Sequence, residues 1–251
     1  MEGKFAVRRT LRTAVAAAAA SRVQRALPGL LASAGIELIH MAADGDAAWE
    51  ALTDLRPDLL VADAELPRMD GAGLARRAIC TLELPVRPAA VLLRWPEFIC
   101  PLQAELEAAG AVILEKPPEP EAFRGAVERL RDARPVFLPA EIARTEALLD
   151  ALGVPEHPGR ECLKYASLIC TADEGARHAL GRRVYPAAGE LCGLSAAQAE
   201  RAMRHAIGRA WQSDKFENQY RIFADTVDAA RGQPTCGEMI SRLADILRSE
   251  G

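Results

Sequence analysis

Aromatic residues make up only 5% of this 251-residue chain. Its cores must therefore be filled by small aliphatic side chains, above all alanine, and that composition favours helices. Six cysteines (Cys80, Cys100, Cys162, Cys170, Cys192 and Cys236) form no C-x-x-C pair and no metal-ligand spacing. Their mostly apolar neighbours point to buried, reduced thiols in a cytoplasmic protein. No apolar run is long enough to span a membrane. Arg8-Arg9 ahead of Ala14–Ala20 does not make a twin-arginine export signal, because an apolar stretch of about seven residues, mostly alanine, is too short and too weak for one. No Ser/His/Asp set, metal cluster or glycine-rich phosphate loop is present, and His40, His157, His178 and His205 are scattered. His157 sits among turn-forming residues and reads as a backbone-bonding turn residue rather than a ligand. An enzyme is not expected.

The composition is that of a soluble globular protein, with half the residues hydrophobic, 26% charged and a net charge of −4. The length suggests two small domains. Global charge hides a local excess: from Arg177 to Arg209 six arginines face only Glu190 and Glu200, a local +4, as phosphate contact requires. The same region holds a marked helix, Ser195 to Trp211. Ser195 and Gln198 form a capping box. At 100° per residue, Ala199, Ala202, Met203, Ala206, Ile207 and Ala210 fall on one side; Gln198, Glu200, Arg201, Arg204, His205, Gly208 and Arg209 fall on the other. Arg can bond guanine, Glu can accept from cytosine, and Gln can pair with adenine. Upstream, Pro186 suits the first position of a short helix to Cys192, and Gly193 allows a tight stop. Short helix, glycine turn and capped second helix make a helix-turn-helix over about 186–211, with the second helix expected in the major groove.

Residues 1–132 alternate between short apolar stretches and helical patterns: strands near 13–18, 36–41, 59–62, 89–93 and 111–114, helices near 22–34, 47–55, 71–80, 102–109 and 121–131. Such alternation implies a doubly wound α/β domain with its chemistry at the carboxyl ends of the strands. Asp63 follows the most hydrophobic strand and opens Asp63-Ala64-Glu65-Leu66-Pro67-Arg68-Met69-Asp70-Gly71; Lys116-Pro117 follows the fifth. On these residues the domain resembles the receiver domains of two-component response regulators, which are flavodoxin-like. The resemblance implies Asp63 as phosphoryl acceptor and Lys116 as the cation that pairs with the phosphoryl group. It fails where Mg²⁺ would be held: Ala18 and Ala19 replace the acidic pair at the end of the first strand, and everything from Ala16 to Ala20 is alanine. Alanine offers no side-chain oxygen to a hard cation. The hydroxyl residue after the fourth strand is replaced by Leu93-Arg94, and the aromatic switch position is Ile113. The expectation is a pseudo-receiver that keeps the fold, with no Mg²⁺ or other cofactor and with Asp63 and Lys116 as an ion pair; regulated phosphorylation at Asp63 is the competing reading.

A linker over 133–139 leads to an all-α domain, 140–251. Helices are expected at Pro139–Leu152, Glu161–Ala172, Asp173–Val184, near Gln219–Arg231, and to about Arg248 after a second capping box, Pro234-Thr235-x-x-Glu238. Gly153-Val154-Pro155-x-His157, Val184-Tyr185-Pro186, Glu200-Arg201-Ala202-x-Arg204-His205-Ala206-Ile207 and Ala210-Trp211, followed by that capping box, make 148–248 similar to the C-terminal DNA-binding domain of the stage-zero sporulation response regulator family. Ala187, Ala188 and Gly189 stand where longer side chains are usual. The resemblance implies a transcription factor that binds a short promoter box on double-stranded DNA as tandem dimers and contacts the sigma subunit of RNA polymerase. Glu200 and Arg201 would reach bases; Arg204 and His205 would reach bases or phosphates. Arg182 and Arg183 would bind backbone phosphates, by position. A homodimer through the receiver half is expected, and no membrane partner. The alternative is an adaptor or antagonist that pairs with a true response regulator through the pseudo-receiver.

Overall fold

A computed structural model describes residues 9–82, 87–133, 135–223 and 232–249. They fall into two compact units, one over Arg8–Val136 and one built on Phe137–Gly251.

The first unit is a five-stranded parallel sheet: β1 Thr13–Ala17, β2 Glu37–Ala42, β3 Leu59–Asp63, β4 Ala89–Arg94 and β5 Val112–Glu115, in the spatial order β2-β1-β3-β4-β5. Five helices connect and follow them: α1 Ser21–Ser33, α2 Gly45–Leu55, α3 Gly71–Thr81, α4 Gln103–Ala108 and α5 Pro120–Asp132. Successive side chains of a strand point to opposite faces. In β3, Leu59 and Val61 join Leu27, Leu31, Phe123 and Val127 of α1 and α5. Leu60 and Ala62 join Leu52, Leu74 and Ala75 of α2 and α3 on the other face. Burial on both faces is why the strands read as unbroken apolar runs. The switch in strand order sets the carboxyl ends of β1, β3 and β5, hence Ala18, Asp63 and Lys116, along one edge.

The second unit is helical: α6 Pro139–Ala151, α7 Pro158–Ala172, α8 Tyr185–Leu191, α9 Ala196–Ala210, α10 Phe216–Phe223 and α11 Cys236–Ser249. α7 is the central helix, with Cys162, Leu163, Ala166, Leu168, Ile169 and Cys170 all in the core. It starts three residues earlier than the pattern suggests. Pro158 takes the first helical position, and His157 Nδ1 accepts the Gly159 N–H at 3.0 Å, so the expected turn residue is the cap of the helix. The helix expected over Asp173–Val184 is instead 3₁₀ over Glu174–Ala179 and a π-helical turn over Leu180–Val184. Asp173 leaves α7 in an extended conformation, and its carboxylate is held by Arg183, so the segment is drawn back rather than continued as a regular helix. The helix expected near Gln219–Arg231 begins earlier, at Phe216; residues 224–231 lie outside the described residues.

Candidate nucleic-acid interface

The turn between α8 and α9 is built by local backbone chemistry. Leu194 N–H bonds back to Gly189 O at 2.8 Å and Gly193 N–H to Glu190 O at 3.4 Å, with Gly193 at φ +68°. This is a Schellman stop, and a left-handed residue there costs least as glycine. Ser195 then caps α9: Ser195 Oγ accepts from Gln198 N–H at 3.3 Å, and Gln198 Oε1 accepts from Ser195 N–H at 2.9 Å. Ala187, Ala188 and Gly189, which read as mere shortenings, are buried, and a Cβ on Gly189 would lie 2.6 Å from Leu194 O. The small side chains are what let α8 approach α9. On its other side α9 is crossed by the start of α7, where a Cβ on Gly159 would meet Ala202 O at 2.0 Å.

These contacts fix which face of α9 is outside. Ala199, Met203, Ala206, Ile207 and Ala210 are buried, while Gln198, Arg201, Arg204, His205 and Arg209 are exposed and Glu200 is half-buried. The outward residues differ in how free they are. Arg201 and Arg209, and Arg182 in the π turn, meet no acid or side-chain partner among the described residues. Arg204 is paired with Glu200 one turn back. Gln198 spends its carbonyl oxygen on the cap, so a two-bond match to adenine would cost the cap. His205 stacks obliquely on His157, ring centroids 5.1 Å apart, a neighbour 48 residues away in the chain that the sequence did not suggest. Arg183 is held by Asp173 at 2.7 Å, and Arg177 by Asp245 at 2.7 Å and Glu174 at 3.7 Å. The local +4 of the linear count is therefore smaller in space. Asp173, Glu174 and Asp245 lie outside that window and neutralise two of its arginines.

At the edge of the sheet, Asp63 and Lys116 do form an ion pair. Lys116 Nζ lies 2.6 Å from Asp63 Oδ1, with side chains only 2% and 3% exposed. Glu65, which the sequence reading passed over, adds Oε2 at 3.1 Å from the same ammonium, and Trp95 lays its ring 4.8 Å from it. Asp63 Oδ1 also accepts the Glu65 N–H at 3.0 Å. Arg94, in the place of a hydroxyl residue, turns its guanidinium onto the Trp95 and Pro96 carbonyls, both at 3.1 Å. Ala18, at the end of β1, is fully buried and brings only a methyl group to this edge. The acids nearest the pocket, Asp63 and Glu65, are already held by Lys116.

Comparison with known proteins finds similarity over parts of the chain. Residues 145–247 match the family model described as sporulation initiation factor Spo0A C terminal, so the helical unit carries a domain of that family. A curated relative, protein-glutamate methylesterase/protein-glutamine glutaminase 4 of Geobacter metallireducens, is 39% identical over 95 residues, 38% of this chain. The chain spans only 27% of that relative's length. Among solved structures, the receiver domain of AraT, a response regulator from Geobacillus stearothermophilus, is 22% identical with a TM-score of 0.42, covering 49% of this chain and 94% of its own. The chemotaxis response regulator CheY4 of Vibrio cholerae is 22% identical with a TM-score of 0.40, covering 48% and 99%. Among the described residues no helix is long and apolar enough to cross a membrane.

Proposed function

We propose that the chain is a sequence-specific DNA-binding transcription regulator of the response-regulator type, with α9 as its reading helix. One observation carries this: a capped helix, set behind a Schellman turn and buried along Ala199, Met203, Ala206, Ile207 and Ala210, turns outward a guanidinium, that of Arg201, which no group among the described residues engages. An exposed, unpaired Arg on such a helix suits the two acceptors of guanine. Arg201 and Glu200 read bases. Arg204, His205 and Arg209 reach bases or phosphates, and Gln198 chiefly holds the helix start. Arg182 contacts backbone phosphate, with Arg183 beside it once Asp173 lets go. The partner is double-stranded promoter DNA, and the family likeness adds the RNA polymerase sigma subunit. The esterase and glutaminase activity belongs to the curated relative, most of which has no counterpart in this chain.

The receiver-like unit, in this reading, is not switched by Mg²⁺-dependent phosphoryl transfer. Its residues do not fit the ion: Ala18 supplies no side-chain oxygen, its carbonyl accepts from Gln24, and Asp63 is committed to Lys116. It serves instead as the homodimerisation half. Mg²⁺ titrated with and without beryllofluoride should give no saturable site below millimolar, and acetyl phosphate should leave the sedimentation coefficient unchanged.

Selection of duplexes from a random library by the full chain, beside Arg201→Ala, tests the reading. Enrichment of one short motif by the parent, lost in the variant, supports it. A chain that selects no motif but pairs with a true response regulator would make it an adaptor instead.

A further inference from the structure

His157 is an unusual cap. Elsewhere among the described residues, side-chain caps are short: Asp44 on α2, Asp70 on α3, Ser195 on α9 and Thr235 on α11. Ser, Thr, Asp and Asn are the favoured residues for that task, and histidine is not among them. At α7 it falls to an imidazole, whose Nδ1 accepts the Gly159 N–H at 3.0 Å. The cap uses one nitrogen. The rest of the ring extends to α9, where it meets the His205 ring with centroids 5.1 Å apart and planes inclined by 47°.

The two rings are held unequally. The backbone of His157 is extended and Pro158 follows it, so the root of the side chain is set. Gly159 stands directly against Ala202 O, so the start of α7 keeps a fixed place on α9. The bond from Gly159 N–H then fixes the ring itself, and leaves the proton of the neutral imidazole on Nε2. His205 lies three residues beyond Ala202 and is exposed. Among the described residues no hydrogen bond or ion pair holds its ring. One imidazole is therefore locked, and the other rests on it.

We infer that His157 is a positioning residue for DNA recognition: its ring, locked at the start of α7, holds the His205 ring in the orientation in which it meets the duplex. The inference rests on the reading of α9 as the DNA helix. Arg201 and Arg209 lie one turn to either side of His205 on the same arc, so His205 is the middle member of an outward row. A side chain that becomes ordered only on binding loses affinity for that ordering, and one ordered beforehand does not. For a single side chain the difference is about two- to tenfold in affinity.

The test separates the ring from the cap. In the full chain, His157→Asn keeps a favoured cap acceptor and removes the ring, so the melting temperature should change little. His157→Ser, another favoured cap, stands in should the asparagine variant not fold. Affinity for the duplex selected by the parent should fall about two- to tenfold. The same substitution made on His205→Ala should cost nothing further. Unchanged affinity in His157→Asn, or an equal loss with and without the His205 ring, would overturn the positioning role. A second measurement needs no DNA. The chain has four histidines, so selective labelling gives four imidazole signals in the NMR spectrum. The free parent should show cross-relaxation between the His157 and His205 rings and a single His205 rotamer, with rotamer averaging in His157→Asn. A His205 ring that behaves alike in both overturns the positioning role whatever the binding result. A parent that selects no duplex overturns the reading of α9, and the spectra still decide whether His157 fixes His205.

Discussion

The two units carry charge at their functional edges in opposite ways. At the sheet edge, Lys116 faces Asp63 and Glu65, and the first two are buried almost completely. On α9, Arg201 and Arg209 extend into solvent with no partner among the described residues, and Arg204 is held by a neighbour that is itself 40% exposed. A buried charge must be matched from within, or its desolvation goes uncompensated. An exposed guanidinium carries no such cost and stays available. The sheet edge has thus answered its own cation with its own anions, whereas the helix presents cations that only a ligand can answer. In the proposed reading, the first kind of site holds the fold together and the second takes a ligand.

The largest expected effect comes from breaking the first kind. Lys116→Met leaves Asp63 buried without a counter-charge and should destabilise the receiver-like unit by about 3–5 kcal/mol. Urea unfolding followed by tryptophan fluorescence, with Trp49 and Trp95 in that unit, measures it. The double variant Asp63→Asn, Lys116→Met should recover much of the loss, because neither charge is then stranded. If the single variant unfolds like the parent, the pair is wetter than its burial implies, and the pocket remains open to a ligand.

Arg201→Ala comes next. It removes no core volume, so the melting temperature should barely move. A bidentate Arg–guanine pair discriminates by about 1–3 kcal/mol, so affinity for the selected duplex should fall about ten- to a hundred-fold, with far less loss on scrambled DNA. Equal loss on both would mean that the side chain is not reading a base. Arg182→Ala should act more weakly and without discrimination, lowering the salt slope by about one on every sequence. Arg183→Ala sharpens the contrast: its guanidinium is spent on Asp173, so its loss should disturb the π turn more than DNA affinity.

What the sequence made legible followed from local rules. The strands were readable because both sheet faces are buried, and α9 was readable because its cap, glycine stop and apolar stripe all lie within about twenty-five residues of one another. What it hid was set by distant partners. Residues 174–184 were read as helix despite Gly175 and Gly181, which weaken one, and the Asp173–Arg183 ion pair and the extended Asp173 backbone go with 3₁₀ and π geometry there. Arg177 looked free until Asp245 arrived from α11. Glu65 went unremarked until β5 placed Lys116 beside it, and His157, rightly read as bonding to backbone, gave no sign that it would lie on His205.

The smallest effect, and the one that most directly probes the divide between matched and unmatched charge, is that of Glu200→Ala. Glu200 pairs with Arg204 across one helical turn, with side chains 40% and 66% exposed. An exposed pair of this spacing contributes only about 0.3–0.5 kcal/mol, so helix stability should hardly change. The effect on DNA should be of two signs. Removing a negative charge beside phosphates, and releasing Arg204 from its partner, should raise affinity for scrambled duplexes and steepen the salt dependence. Removing the acceptor for cytosine N4 should at the same time lower discrimination at one C·G pair of the selected motif. A salt-titrated binding assay on the selected duplex, on the duplex with that pair exchanged, and on scrambled DNA separates the two. Should Glu200→Ala raise scrambled and selected affinity by the same factor at every base pair, Glu200 is only a brake on Arg204, and base reading falls to Arg201 alone.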